Sequence, residues 1–529
     1  MPFPTDQTVL KDFIDRRHPD YDATLPHWTF CDETYKGGRD WFETNIFRYV
    51  KEGDTEFKDR LDRAYRFNHT REIVDLIQKY IFKPHVNRST DAPEEVQTFW
   101  ENVTLSGLNI DQFQRLVAAA SSIFGLCWVF TDSTKNDTIQ SKADEKNAKA
   151  RVYSYIVTPP DVLDAGFDDN GGLLWIKTVE RVRDDADPFN SSGDVEQRFR
   201  LWTKEDWAVF KIVTVGTAGK SEKRVVLEDF GVNELGVVPA FPVLHVIGES
   251  QFKAPGLIDD IVYLDRATAN YLSNLDAIIQ DQTFSQLAMP AQNLLPGGDA
   301  HDKLIEMGTK RIFTYDGESG TEPKYLSPDI KQAQIIVTVI NKVINEIYHT
   351  VGMAGERTKE DNAVGIDNSS GVAKAYDFEK MNSLLVTKAQ SLQNCENKLV
   401  EFVHLWNRKP IPTEEFVSYP QSFDVLSVFD EFTVAEKLML IDAPKEVRQQ
   451  QMRQVIDKMF PAIARDLKTA MLKGLEAWPV DPVERAGDLA QVTAAARPDP
   501  KLPGAKASKT ASKNPQTKGR QGQVTSDTK

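Results

Sequence analysis

The apolar pattern of this chain changes period twice, and those two changes constrain its fold more than any other feature. Through the first 150 residues the amphipathic runs have helical spacing, near 55–83 (EFKDRLDRAYRFNHTREIVDLIQKYIF) and 110–130 (IDQFQRLVAAASSIFGLCWVF). From Arg151 to Val246 the period becomes two: RVYSYIV, LLWIKTVERV, RFRLWT, WAVFKIVTV and KRVVLEDF alternate with turn sequences DDNGG, NSSGD and GTAGKS, the spacing of an antiparallel meander. GVVPAFPVLHV closes this block with prolines suited to an edge strand. Helical spacing then returns over 257–288. Strands gathered in one block between helical blocks predict an α+β fold, mainly helical.

The second helical block has its own organisation. The 257–288 pattern breaks at Pro290, and a Gly- and Pro-rich segment, 289–328, carries one expected strand pair around KRIFTY and PKYL. A helix over 329–351 places Ile336, Val339, Ile340, Val343, Ile347 and Val351 on one stripe and stops at Gly352. The next helical pattern begins at Val372. Met381, Leu385, Leu392, Cys395, Leu399, Phe402 and Trp406 form its near-heptad seam for lateral helix packing. Between these two helices lies a polar, glycine-containing stretch, far longer than the usual helix–helix connection of about 2–8 residues. Further helices are expected at 433–442 and 444–476. Beyond about 480 large apolar residues almost vanish, so disorder is expected there.

Composition narrows the function. With 529 residues, 40% hydrophobic and 27% charged, the chain has room for about three domains and a large core. Cys31, Cys127 and Cys395 are few, odd in number and scattered, which predicts reduced, packed thiols. The N-terminus has neither a basic start nor an apolar core segment, and no stretch reaches the roughly 18 apolar residues of a membrane span, so export and membrane insertion are not expected. The net charge of −15 is uneven: residues 501–529 carry +6 and the remainder −21. An acidic body is a poor general DNA binder, because affinity for DNA comes mainly from neutralising phosphates.

Catalytic patterns are missing from the sequence. GTAGKSEK lacks the first glycine of a phosphate-binding loop and is flanked by strands, so it reads as a hairpin turn. The eight histidines show no metal-ligand spacing, and no cofactor or metal is expected. The acid pairs at 168–169 and 184–185 read as turn residues and 259–260 as a helix start. Trp202 and Trp207 read as core residues.

Four stretches carry a resemblance: HPDYDATLPHW with the following RLDRAYRFNHTREIVDLI, GVVPAFPVLHV running into APGLIDDIVYLDRATANYLSN, YLSPDIKQAQIIVTVINKVINEIYHTVG, and NSSGVAKAYDFEKMNSLL. In this order the chain resembles the portal proteins of tailed bacteriophages. The resemblance implies a portal-type architecture of wing, stem, clip and crown around a central channel. Placed on this sequence, these regions are a wing over 1–255, stem helices at 256–288 and 329–352, and a clip at 289–328. A tunnel loop at 353–371, a long helix returning to the wing over 372–430, crown helices at 431–478 and a basic tail at 479–529 complete the chain.

The resemblance also implies a non-enzymatic role in DNA packaging and ejection within the virion, at a capsid vertex, after assembly in the host cytoplasm. The implied partners are further copies of the chain in a homododecameric ring, double-stranded DNA in the channel, terminase, the major capsid protein, and neck or tail adaptor proteins. Arg357, Lys359, Asn362, Asn368, Ser369 and Ser370 are the expected channel-facing residues, and Lys303, Lys310 and Arg311 the expected clip contacts. A non-portal scaffold or adaptor, or an enzyme acting on polysaccharide or nucleic acid, remain the alternatives at this level.

Overall fold

The computed structural model describes residues 3–50, 52–134, 151–185, 187–215, 222–246, 251–283, 286–290, 312–315, 324–326, 330–353, 371–421, 423, 444–459, 465–476 and 478. The chain divides into two units, Met1–Val425 and Leu426–Lys529. The class is α+β, with helices predominating among the described residues and sheets that are largely antiparallel.

The N-terminal helices are α1 (Gln7–Asp15), α2 (Tyr21–Lys36), α3 (Asp40–Asn45), α4 (Asp54–Arg63), α5 (His69–Ile81), α6 (Glu94–Glu101) and α7 (Ile110–Phe124), with the two-residue strand β1 (Asn87–Arg88) between α5 and α6. The run expected over 55–83 is two helices. Asn68 caps the second by accepting a hydrogen bond from the Arg71 amide. The run expected over 110–130 is also interrupted. Helix α7 opens with a capping box at Asn109 and Gln112, ends at Gly125, and gives way to strand β2 (Leu126–Ser133). Gly125 has φ +82, and a Cβ there would lie 1.9 Å from the Ala254 carbonyl oxygen, so only glycine fits both its dihedral and its packing.

The strand block forms two sheets where one meander is expected. Strands β4 (Val162–Phe167), β5 (Leu173–Arg183), β6 (Val195–Thr203), β7 (Asp206–Val215) and β8 (Glu222–Val232) make the meander, in sequence order. The first and last strands of the block leave it: β3 (Val152–Val157) and β9 (Ala240–Leu244) pair with opposite edges of β2. The reason lies in β2, whose first six residues are buried in succession, so that it needs covering as a central strand. Pro242 sits on β9, an edge strand, as its chemistry requires. Strands β7 and β8 flank the GKS turn, which itself lies outside the described residues, and no helix follows it.

Helix α8 (Ile261–Thr283) ends earlier than its pattern suggests, and Gln286–Pro290 forms strand β10. Strands β11 (Ile312–Tyr315) and β12 (Lys324–Leu326) do not pair with each other as expected. They flank β10, the first in parallel and the second antiparallel. Helix α9 (Ile330–Thr350) stops where Gly352 takes φ +75 and the Met353 amide donates to the Tyr348 carbonyl. Helix α10 (Gly371–Trp406) buries the whole expected seam from Met381 to Phe402, with Trp406 partly covered. That seam faces α5, α6, α7 and strands β2 and β9 of its own chain. The short strand β13 (Val417–Ser418) pairs with β1. The second unit contains α11 (Lys445–Met459) and α12 (Arg465–Glu476), where one helical stretch over 444–476 is expected. They are joined by Gln449 Nε2, which donates to the Leu475 and Trp478 carbonyls.

Two lysines lie inside the first unit. Lys388, on α10, donates to Ser121 Oγ at 2.5 Å and meets His245 Nδ1 at 3.1 Å. Lys177, on β5, donates to the Phe13 carbonyl at 2.6 Å. Burial pushes Lys388 down to about 7 and Lys177 down to about 8. An unfolded lysine titrates near 10.4, so the unfolded chain binds more protons in between and stability rises with pH from about 7. The gain ends near pH 8.5, where thiols of the unfolded chain ionise while burial holds Cys127 up at about 12. Urea unfolding of the full chain should therefore show a stability gain on the order of 1–2 kcal/mol from about pH 7 to 8.5. Lys388→Met should remove most of that gain, and an unchanged slope in the variant would contradict this assignment.

Candidate functional site

Helices α8 and α9 pack on each other as a hairpin that is unequally covered. On α9 the expected stripe faces inward, with Ile340, Ile347 and Val351 buried and Ile336, Val339 and Val343 partly covered. Coverage declines toward the far end of the hairpin. Residues 331–339 include no buried side chain, and Ile335 and Val337, off the stripe, are 63% and 43% exposed. Ile279, near the matching end of α8, is 46% exposed. Apolar groups also stand open beside the root: Phe47, Tyr49 and Val50 on the loop before α4, and Tyr65 and Phe67 between α4 and α5.

The root is held by charge, which is unusual enough to need accounting. Asp265, fully buried on α8, accepts from the Thr70 hydroxyl at 2.7 Å and the Thr70 amide at 3.2 Å. It also lies 3.5 Å from the Arg66 guanidinium, which stacks over the Trp41 ring at 3.9 Å. About two turns further along, Ser273 Oγ accepts from Arg60 at 2.9 Å. Arg60 is itself buried and grips both oxygens of Glu52 at 2.8 Å and the Phe47 carbonyl at 2.8 Å. These bonds from Arg60 hold the Glu52 carboxyl below its ordinary range. Arg63 pairs with Asp276 at 3.1 Å. On the α9 side, Tyr348 donates to Glu72 and its hydroxyl lies 3.2 Å from His69 Nδ1. The hairpin is thus fastened to α4, α5 and the segment between them by directional contacts that fix its orientation, those of Asp265 and Arg60 being buried.

A second cluster lies where α2 meets the turn leading into α8. His27 Nε2 is 3.0 Å from Asp259 Oδ1 and 3.5 Å from Cys31 Sγ, and its Nδ1 is 3.1 Å from the Tyr263 hydroxyl. Burial, reinforced by Asp259 and Asp32, pushes the Cys31 thiol up to about 12. The three donor atoms lie within 4.8 Å of one another, a group that could hold a metal ion. This grouping is not visible in the sequence, where no metal ligands are expected: His27 and Cys31 are one helical turn apart, but Asp259 arrives from 232 residues along the chain. Asp259 also does what its sequence suggests, accepting the Gly256 amide at 2.8 Å.

Of the residues singled out from sequence, Arg357, Lys359, Asn362, Asn368, Ser369, Ser370, Lys303, Lys310 and Arg311 all lie outside the described residues. Trp202 is core, and Trp207 packs against it at 6.0 Å from the paired strand. Asp168 and Asp184 are turn residues accepting backbone amides, from Asn170 and Gly172 and from Ser192. All three cysteines are buried and unpaired. No described helix is long and apolar enough to cross a membrane.

No protein-family model and no curated protein matches the chain. Among solved structures, it is similar to a chain of the neck of an empty GTA particle computed with C6 symmetry. That match has 9% identity and a TM-score of 0.35, and covers 76% of this chain and 97% of the other. Likeness at that level carries no functional argument.

The buried charges make a test of the root. Asp265→Ala should cost about 3–5 kcal/mol by denaturant unfolding, because it strands the Arg66 cation. The double variant with Arg66→Met should recover part of that loss. A double-variant loss equal to the sum of the Asp265→Ala and Arg66→Met losses would show that Asp265 and Arg66 are not coupled.

Proposed function

We propose that the chain is a structural subunit of a phage virion, a portal that forms a closed ring through which DNA is packaged and ejected. The observation that carries this reading is the hairpin. Its root is fixed by buried charge, while apolar side chains near its far end, Ile335 and Val337, stand exposed among the described residues. Exposed apolar groups on a rigid helical pair suit lateral contact with identical neighbours, and cyclic symmetry covers every copy equally. The order of sequence features that resembles portal proteins supports the same reading.

On this reading α8 and α9 are the stem, and the body built on the two sheets and α10 is the wing. The segment between α8 and α9 is the clip, and α11 and α12 belong to the crown. The polar segment 353–371, with Arg357, Lys359, Asn362, Asn368, Ser369 and Ser370, lines the channel. Its few basic groups and neutral hydrogen-bonding side chains allow contact with phosphates without tight retention. Lys303, Lys310 and Arg311 face the motor and later the neck or tail adaptor, while the wing meets the major capsid protein. The role is architectural, and no catalytic step is assigned to it.

Native mass spectrometry of the purified full chain tests this directly. A closed oligomer, of twelve copies, is the expected result at micromolar concentration. Monomer alone, across several salt concentrations, would overturn it.

A further inference from the structure

We infer that His27, Cys31 and Asp259 form a zinc site that clamps α2 to the turn preceding α8. The three side chains bring a nitrogen, a sulfur and an oxygen donor to one point, the ligand set of a tetrahedral zinc centre with water in the fourth position. With zinc bonds of about 2.0–2.3 Å, tetrahedral geometry places neighbouring donor atoms about 3.3–3.6 Å apart. His27 Nε2 is 3.5 Å from Cys31 Sγ and 3.0 Å from Asp259 Oδ1, each within tenths of an ångström of that spacing, and all three donors lie within 4.8 Å of one another.

The surroundings are those of a ligand shell. Asp259 Oδ2 is held by the Gly256 amide, which turns Oδ1 toward the histidine. The Tyr263 hydroxyl lies at His27 Nδ1, and accepting that N–H leaves the Nε2 lone pair directed at the metal position. The Tyr263 ring lies nearly parallel to the imidazole, at 14° with centroids 5.9 Å apart. Cys31 is fully buried, whereas the His27 and Asp259 side chains are 27% and 34% exposed, so the site is closed on the thiol side and open to an entering ion on the other.

Binding is a simple exchange. The Cys31 thiol gives its proton to solvent as the sulfur–zinc bond forms, and no electron moves. Zinc with three protein ligands from two distant parts of the chain would lock the entry to α8 onto α2. This inference does not depend on ring formation or on the portal reading.

Cobalt reports on the site without an activity assay. Chelator-stripped full-length protein titrated with Co²⁺ should bind one ion per chain, with a thiolate-to-metal charge-transfer band and the visible bands of tetrahedral cobalt. Stoichiometric Zn²⁺ should displace it and raise the melting temperature. Cys31→Ser should abolish the charge-transfer band, His27→Gln should prevent binding, and Tyr263→Phe should weaken affinity about 10–100-fold while sparing the spectrum. Absence of the thiolate band in folded wild-type protein would overturn the inference, and that result stands even if a variant fails to fold. Unchanged affinity in folded Cys31→Ser or His27→Gln would overturn it equally.

Discussion

The buried Asp265 carboxylate is the constraint on which the hairpin depends. Taking a carboxylate out of water costs several kcal/mol, and the cost is recovered only with good partners. Here Thr70 supplies two hydrogen bonds and Arg66 a counter-charge, all from α5 and the segment before it. Because these partners are directional, α8 cannot rotate or slide on α5 without abandoning a buried charge. Arg60 repeats the arrangement further along, joining Ser273 to Glu52 and to the Phe47 carbonyl. An apolar contact of the same area would hold the hairpin but would tolerate sliding. Charge fixes the position of the root, since moving it would leave a buried charge unpaired.

A rigidly held hairpin turns exposed apolar side chains into a defined surface. Fully burying an isoleucine contributes about 1.5–3 kcal/mol, so covering Ile335 and Val337, both exposed among the described residues, offers a driving force for assembly. The exposed Phe47, Tyr49, Val50, Tyr65 and Phe67 beside the root add to it. Flexible attachment would waste this energy on ordering. The assembly reading therefore rests on the pairing of a stiff root with an uncovered end, and not on hydrophobicity alone.

What the sequence disclosed depended on the length of each pattern. The α9 stripe from Ile336 to Val351 and the α10 seam from Met381 to Phe402 are long enough for helical period to be unmistakable, and both face inward. Strand β2 was hidden, because LCWVFTDS continues the apolar run of α7 and a strand covered on both faces has no alternation to read. Gly125 marked the boundary. Strand β10 is only five residues long and reads as the tail of a helix until its partners are known. The open end of the hairpin was not legible, since a residue such as Ile335 differs from Ile336 only in what lies opposite. Nor was the zinc ligand set, whose Asp259 looks in sequence like any acid at a helix start. Even so, two of the stretches that carried the family resemblance meet there: His27 belongs to HPDYDATLPHW, and Asp259 and Tyr263 to APGLIDDIVYLDRATANYLSN.

The central claim is that neighbouring copies cover the far end of the hairpin. Its most direct measurement is the mass in solution, by analytical ultracentrifugation, of the Ile335→Asp, Val337→Asp double variant beside the wild type. Both positions are exposed in the single chain, so the variant should keep the wild-type circular dichroism and the melting temperature of dispersed wild-type subunits. Its oligomers should be lost, because charge at a buried contact between copies is costly. A variant that assembles as fully as the wild type would show that this face is not where the copies meet, and would contradict the account.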